Sequence, residues 1–327
     1  MVDFRYHVVS IVAVFLALGI GIVFGTTAIN RTLLTDLDHN VSRLRNEKHD
    51  LEDKSNDLSA QVGAADAWGK ALFPGIVRGV LTGERVVVVS APGASKSVRD
   101  DRVKQLGAAG ATVTGRIRLN DALLDPRRSA ELDDLVIREL PAGFTVPGSG
   151  ATAARRAMAE LAYVVSLGAG DVSTLGSAPP AATTRVLAAF RERGFIGIDG
   201  SSVFPARNVV VLLPGAPSSP TPTPTASGPE VRPVGVDLVA ALAALRARPA
   251  IVAVAPDGGS VAGTELELVR ADGLLKDTVS SVDDVDTVYG QAALVLALDE
   301  VRSRGRTGHY GNGVGAEGPV PTPAPTP

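Results

Sequence analysis

Three acidic residues stand close together in the segment SVDDVD, which contains Asp283, Asp284 and Asp286. Clustered carboxylates could bind a hard cation such as Ca²⁺, but an EF-hand loop also needs a central glycine and a distal glutamate at fixed spacing. Neither this segment nor DGGSVAGTE, at 257–265, completes that pattern. The sequence therefore favours a solvated loop and a helix N-terminus, where acidic residues are stabilising.

The segment SAPGASKS, residues 90–97, has the strand-to-helix context of a phosphate-binding loop. That motif needs glycine directly before its lysine and again five residues further back, so that the backbone can wrap a phosphate. Ser95 and Ser90 occupy these two positions. No GxGxxG motif follows the strand either, so we interpret the segment as a tight turn between a strand and a helix.

A third candidate is GRTGHYGNG, which places His309 and Tyr310 among glycines near the end of the chain. One histidine does not make a site, and the glycines indicate a flexible end to the domain. Serine, histidine and aspartate all occur elsewhere, but no GxSxG elbow positions a catalytic triad. The sequence therefore predicts no catalytic residue, no enzymatic activity, no cofactor and no metal site.

The composition narrows the classes of partner. The 327 residues include no cysteine, which excludes disulfides and thiolate metal sites. A net charge of −3 and an aromatic share of 4% argue against nucleic acid as a partner. The remaining soft or borderline metal ligands are His7, His39, His49, His309, Met1 and Met158.

An uncharged stretch, VVSIVAVFLALGIGIVFGTTAI, covers residues 8–29. A helix needs about 20 such residues to cross a bilayer, and the run is longer than the apolar core of a cleaved signal peptide. We therefore predict a retained transmembrane helix, preceded by a cytoplasmic stub at 1–7. Small residues that could let another helix approach recur every four positions in it: Ala13, Ala17, Gly21 and Gly25.

The charges around this span do not decide its orientation, because basic residues are more numerous behind it than ahead of it. The tracts PGAPSSPTPTPTASGPEVRP, at 214–233, and GPVPTPAPTP, at 318–327, are typical of solvated envelope segments. These tracts favour a location outside the cytoplasm for the body of the protein, the part of the chain that follows the span.

Behind the span, residues 30–62 carry a heptad pattern, which predicts a coiled-coil stalk ending near Gly63. Polar Lys48 and Ser55 in the seam, and Glu47 facing Glu52 of a parallel twin, would weaken self-pairing and suit a different partner. The alternative is a single amphipathic helix resting on its own domain. The predicted seam consists of Leu34, Leu37, Val41, Leu44, Leu51, Leu58 and Val62.

The rest of the chain alternates between apolar strands and amphipathic helices, the pattern of a mostly parallel α/β sheet. We predict one α/β domain in two parts, 84–213 and 234–313, joined by the Thr/Pro-rich linker at 214–233 and followed by a disordered Pro/Thr tail at 314–327. Two separate small domains are the alternative. Strands are expected at 85–90, 111–119, 195–200, 207–215 and 249–256, and helices at 95–107, 128–139, 152–167, 181–193, 236–248 and 286–304.

Two segments together resemble the actinobacterial MctB family, the mycobacterial copper transport protein B group. They are DFRYHVVSIVAVFLALGIGIVFG at the start and VSSVDDVDTVYGQAALVLALDEVRSRGRTGHYG near the end, and the resemblance extends from Met1 to about Gly313. It implies an envelope location, a body outside the cytoplasm and a role in limiting intracellular copper. Corynebacterial relatives imply another role, in which the coiled coil engages a peptidoglycan hydrolase system during cell separation. The family offers no catalytic residues to transfer.

The residues and the implied copper role agree poorly. Cu(I) favours thiolate and thioether ligands, which are scarce here, and a single helix cannot line a channel. Two functions remain open: a copper export or homeostasis component that acts within an assembly, and a non-enzymatic scaffold that engages a cell-wall hydrolase system. The partners expected are the membrane, a homo- or hetero-oligomer formed through the coiled coil, and a cell-wall protein.

Overall fold

The computed structural model describes residues 4–148, 150–166, 180–215, 232–245, 249–256 and 264–321. For residues 4–5 and 26–39 it describes the backbone alone. The chain divides into two compact units, Met1–Ala65 and Asp66–Pro327. The helices are α1 (Phe4–Val77), α2 (Lys96–Ala108), α3 (Ser129–Arg138), α4 (Ala153–Val165), α5 (Ala181–Glu192), α6 (Val234–Ala243), α7 (Glu265–Ala271) and α8 (Val288–Arg304). The strands are β1 (Arg85–Ser90), β2 (Thr112–Leu119), β3 (Ile196–Ile198), β4 (Asn208–Leu212), β5 (Ala250–Val254), β6 (Ser280–Val282) and β7 (His309–Tyr310).

Helix α1 is 74 residues long and does not end at Gly63, so the predicted helix boundary was wrong. It continues to Val77 even though Pro74 lies inside it. Glycine costs a helix only about 1 kcal/mol relative to alanine, and packing of the last turns offsets that cost. Val77 is fully buried in the domain core and Phe73 packs against the same cluster.

The seven strands form one sheet in the order β3-β2-β1-β4-β5-β6-β7, parallel throughout except for the β2–β3 pair. Strand β4 pairs with β1 on one side and with β5 on the other. The two predicted halves of the domain therefore share a single sheet, and the predicted α/β class is confirmed. The strand order reverses between β1 and β4, as in doubly wound folds.

The sheet is buried on both faces, which explains its valine-rich central strands. Successive side chains of a strand point to opposite faces, so Val87 and Val89 join the core beneath α3, α4, α5 and α6. Val86 and Val88 join the other core, with α2, α8 and the end of α1.

The turn after β1 has the structure expected from SAPGASKS. Gly93 has a positive φ of 80°, and Ser95 caps α2 by accepting a hydrogen bond from the backbone N–H of Val98 at 3.3 Å. The serine that replaces the glycine of a phosphate-binding loop is therefore a helix cap.

Strands β6 and β7 and helix α7 were not predicted. Ser281 pairs with His309, and Val282 pairs with Tyr310, at the parallel edge of the sheet. The predicted flexible end at His309 and Tyr310 was therefore wrong, because the two residues are only 6% and 4% exposed. Ordered structure continues beyond Gly313, into the predicted tail. The N–H of Gly311 donates a hydrogen bond to the carbonyl oxygen of Gly318 at 2.8 Å.

Candidate functional site

The apolar segment of α1 covers Tyr6–Gly25, with a mean hydropathy of 2.7 and no buried residue in its most apolar window. Large side chains such as Phe15 and Phe24 are 69% and 74% exposed. Within the described part of the chain it is the single helix long and apolar enough to cross a membrane. Full exposure distinguishes it from the core helix of a soluble domain, which buries such residues.

The small residues of this segment are open to an approaching helix. A side-chain carbon added at Gly21 or Gly25 would meet nothing within 4 Å. Ala17 and Ala13 are exposed about one and two turns before Gly21. Their role in helix packing stays a prediction.

The predicted seam also lies on the exposed surface of α1. The exposed fractions are 42% for Val41, 59% for Leu44, 67% for Leu51, 61% for Leu58 and 64% for Val62. Leu34 and Leu37 belong to the same helix, and their side chains lie outside the described set. The helix itself is present, whereas the coiled coil stays a prediction.

Charged residues in the seam and beside it form ion pairs within the chain. Lys48 Nζ lies 3.1 Å from Glu52 Oε1, and Arg43 Nε lies 3.7 Å from Glu47 Oε1, both at i,i+4 spacing. Such exposed pairs contribute about 0.3–0.5 kcal/mol each. They partly neutralise the two glutamates that were expected to repel each other in a parallel twin.

The potential metal ligands are spread through the described structure. His7 and His49 are exposed on α1, and His49 Nδ1 lies 3.5 Å from Glu52. Met158 is fully buried in the core, as predicted. Among the described residues, no group of three or more His, Cys, Asp or Glu side chains could hold a metal ion.

His309 is instead held by hydrogen bonds within the domain. Its Nδ1 lies 2.9 Å from Ser281 Oγ, and its Nε2 lies 3.0 Å from the backbone oxygen of Lys276. Burial, and next the nearby charge of Arg270, lower the pKa of the His309 imidazole. These contacts occupy both ring nitrogens, so this histidine is engaged structurally rather than free for copper.

Arg270 and Asp283 are at the centre of this buried network. Arg270 Nη1 donates to Asp283 Oδ2 at 2.7 Å, Nε donates to Ser281 Oγ at 2.7 Å, and Nη2 donates to the backbone oxygen of Tyr310 at 2.9 Å. The expectation that the SVDDVD acids are solvated was wrong for Asp283, which is 1% exposed. Sequence reasoning missed Arg270 altogether.

The carboxylate of Asp283 also fixes the loop that follows β7. It accepts hydrogen bonds from the backbone N–H groups of Asn312, at 2.8 Å to Oδ1, and Gly313, at 3.1 Å to Oδ2. Gly311 has a φ of 125°, and a Cβ built there would lie 1.8 Å from Asp283 Oδ1. The closing glycine of the GHYG motif is therefore required by close packing.

Two further motif residues have backbone roles. Asp284 has a positive φ of 52°, a conformation that aspartate and asparagine tolerate better than most residues. A Cβ at Gly290, in the first turn of α8, would lie 2.1 Å from the backbone oxygen of Asp284. The two segments of the terminal motif thus fit together as a structural unit.

Comparison with known proteins identifies the family of the chain. The family model described as "Copper transport outer membrane protein, MctB" matches residues 1–321. Proteins named copper transporter MctB from Mycobacterium tuberculosis (strain ATCC 25618 / H37Rv) and Mycobacterium bovis are each 31% identical over 334 residues, which cover 97% of this chain and 98% of theirs. The namesake from Mycobacterium leprae is 31% identical over 333 residues, with the same coverage. With a family match and relatives that both span nearly its whole length, the chain belongs to the MctB family.

Proposed function

We propose that this protein is a single-pass, membrane-anchored cell-envelope component of an assembly that exports copper or limits its level in the cell. The exposed apolar helix Tyr6–Gly25 is the observation that carries the proposal. The names of its relatives, which refer to copper transport, supply the cargo. The N-terminus lies in the cytoplasm and the α/β domain lies outside it.

Copper is the cargo of the assembly, and this chain does not coordinate it tightly by itself. Three observations support this division of labour: the described residues offer no metal-binding cluster, Met158 is buried, and both nitrogens of His309 are engaged. The chain therefore contributes an anchor, a helical contact surface and a folded module rather than a metal pathway of its own.

Intracellular copper in a deletion strain tests the proposal. We expect copper to accumulate in the deletion strain grown with added copper, and to return to the parental level on complementation with the full chain. Unchanged copper in the deletion strain would refute the copper role. The topology is tested separately with Asp3→Cys and Ser227→Cys: a membrane-impermeant thiol reagent should label only the second variant in intact cells, and the reverse pattern would invert the proposed orientation.

The second candidate function is a non-enzymatic scaffold whose stalk engages a cell-wall hydrolase system. The exposed seam residues on α1 favour it, because an apolar stripe on a helix is stabilised by a partner helix. Defective cell separation at normal copper levels in the deletion strain would favour this function over the first.

A further inference from the structure

An open cleft of about 1120 Å³ lies between α4, α6 and the glycine-rich loop that precedes α4. Small-molecule sites usually measure about 300–1,000 Å³, so the cleft is large enough for an organic ligand. It lies on the body, in a part of the fold that the proposed copper role does not use.

Apolar side chains line part of the cleft, along the two helices and at the Tyr163 end of α4; we call this part its floor. Ala159 and Ala241 contribute small side chains from the two facing helices. Phe144 and Tyr163 lie at the wall with their ring centroids 5.4 Å apart. The Tyr163 hydroxyl donates to the backbone oxygen of Ala142 at 3.0 Å, which fixes the ring at this wall. An apolar ligand body would therefore contact alanine methyl groups and two aromatic rings.

Among the described residues that line the other end of the cleft, Arg155 is the accessible cation. The side chain of Arg155 is 50% exposed, whereas that of Asp237 is only 4% exposed, with Arg155 Nε 3.6 Å from Asp237 Oδ1. That separation exceeds hydrogen-bond length, and Asp237 Oδ1 has no hydrogen-bond partner among the described residues. Asp237 thus lies beside the guanidinium without an Nε–Oδ1 hydrogen bond, and the N–H donors of Arg155 can bind an anion.

The spacing of these features gives the length of the ligand. Arg155 and Tyr163 are eight residues apart on α4, which corresponds to about 12 Å along a helix. A fitting molecule has an anionic head at the Arg155 end and an apolar body that reaches the aromatic pair. Guanidinium groups bind carboxylates well, through paired N–H donors.

We propose that the cleft between α4 and α6 binds an amphiphilic monocarboxylate, with its carboxylate on Arg155 and its apolar body between the alanines and the Phe144–Tyr163 pair. The same chemistry occurs in a free organic acid with an apolar tail and in the C-terminus of an apolar peptide. Asp237 is the titratable neighbour of Arg155 in this arrangement.

The charge on Asp237 couples binding to pH. Burial raises the pKa of its carboxyl group to about 6, partly opposed by Arg155 and then by Arg232, which precedes α6. The protonated acid donates a hydrogen bond to a carboxylate ligand, whereas the ionised form repels it. Binding should therefore strengthen as the pH falls through about 6.

Calorimetric titration of the full chain in lipid nanodiscs, with empty nanodiscs as reference, tests the proposal. The probes are phenylbutyrate, its alcohol and amine counterparts, and the tripeptide acetyl-Phe-Ala-Leu with a free or an amidated C-terminus. We expect binding of phenylbutyrate but not of the alcohol or the amine. Tighter binding of the free-acid peptide than of phenylbutyrate identifies a peptide C-terminus as the source, and the reverse identifies a free organic acid.

Three variants test the geometry. Arg155→Met should weaken binding of the carboxylate by about tenfold or more, and Ala241→Phe should abolish it by filling the floor. Asp237→Asn should keep binding at pH 7.5 as tight as at pH 5.5, whereas the unmodified chain should bind more weakly at pH 7.5. The matched control is Ala130→Phe, on the exposed surface of α3. Equal binding of acid, alcohol and amine, no binding of any probe, or unchanged affinity in Arg155→Met would overturn the proposal.

Discussion

The guanidinium of Arg270 lies 2.7 Å from the carboxylate of Asp283, and the side chains of the two residues are only 4% and 1% exposed. The pair joins α7 to the end of β6. Through further hydrogen bonds it also fixes β7 and the loop beyond it. An ion pair so thoroughly removed from water is costly to break, since the remaining charge keeps its desolvation penalty without its partner.

Asp283→Ala should therefore destabilise the domain by about 3–5 kcal/mol. This is the usual cost of removing one partner of a buried ion pair and leaving the other charge without its partner. Urea unfolding of the full chain in detergent, followed by near-ultraviolet circular dichroism, measures the change. Lys104→Ala is the control, because Lys104 pairs with Asp101 on the surface at 3.3 Å. Loss of this exposed pair should lower the free energy of unfolding by less than about 1 kcal/mol. Equal effects of the two changes would contradict the structural role of the buried pair.

Gly311→Ala should destabilise the protein by more than about 2 kcal/mol, because it adds a clash to an unfavourable left-handed backbone. The new methyl group would lie 1.8 Å from Asp283 Oδ1, so the loop or the carboxylate must move. Gly273→Ala is the matched control, with nothing within 4 Å of the added carbon. Thermal melting of both variants gives the comparison, and a similar Tm for the two would show that the loop after β7 adapts freely.

Glu160 should make the stability of the domain depend on pH. It is fully buried in α4, and burial, with a smaller contribution from Glu139, raises the pKa of its carboxyl group to about 8, against the opposing charge of Arg185. Because the folded state favours the protonated acid, its stabilising contribution is complete below the unfolded value near 4.5 and is lost as the pH rises through about 8. At about 1.4 kcal/mol per unit of pKa difference, the loss is on the order of 5 kcal/mol.

Glu160→Gln should remove this dependence, so the variant should be the more stable protein at pH 9 and lose less Tm between pH 6 and pH 9. Glu192→Gln, on the exposed surface of α5, controls for the general effect of removing one negative charge. Parallel pH profiles for the Glu160 variant and the unmodified chain would show that Glu160 ionises normally.

Leu44→Ala combined with Leu51→Ala should abolish association through the stalk while the α/β domain stays folded. Truncation of a buried leucine typically costs about 2–5 kcal/mol, and both residues lie in the middle of the predicted seam. Site-specific crosslinking through α1 in membranes measures association. Asn46→Ala with Asp53→Ala is the control, because these residues have the same seven-residue spacing and lie on the opposite side of the heptad. Unchanged crosslinking in the leucine variant would exclude a coiled coil.

The full chain should not bind Cu(I) tightly in a competition titration against a chromogenic chelator. His39 and His49 are ten residues apart on α1, or about 15 Å along a helix, too far to share one ion. Met158 is buried and His309 is hydrogen-bonded at both nitrogens. Stoichiometric sub-micromolar binding that is lost in His309→Ala or Met158→Leu would restore direct copper handling.

The sequence predicted the centre of the sheet and its β3 edge well, and its β6–β7 edge poorly. Valine-rich runs such as RVVVVS gave β1 its bounds at Arg85–Ser90, since a strand buried on both faces reads as a continuous apolar segment. Strands β6 and β7 have only three and two residues, and Ser281 and His309 interrupt their apolar character. Short polar strands carry no periodic signal, so they were interpreted as loops.

The terminal network was unpredictable for a related reason. Arg270 reaches Asp283, Tyr310 and Val314, which follow it by 13 to 44 residues, and no local pattern marks a charge that will be buried. The resemblance to the family marked the segment that contains Asp283 and Gly311, but it did not indicate the structural role of these residues. Only the folded arrangement shows that Gly311 and Asp283 are in close contact.

Strand β4 lies directly between β1 and β5, although 37 residues separate the end of β4 at Leu212 from the start of β5 at Ala250. The sheet thus pairs strands from the two parts of the chain that the Thr/Pro-rich segment separates. Residues 216–231 of that segment lie outside the described residues, and Gly215 and Arg232 flank them. Strand β4 makes its pairs with β1 and β5 through residues outside 216–231. An epitope tag or a reporter domain inserted between Gly215 and Arg232 would therefore leave the paired residues of the sheet unchanged in sequence.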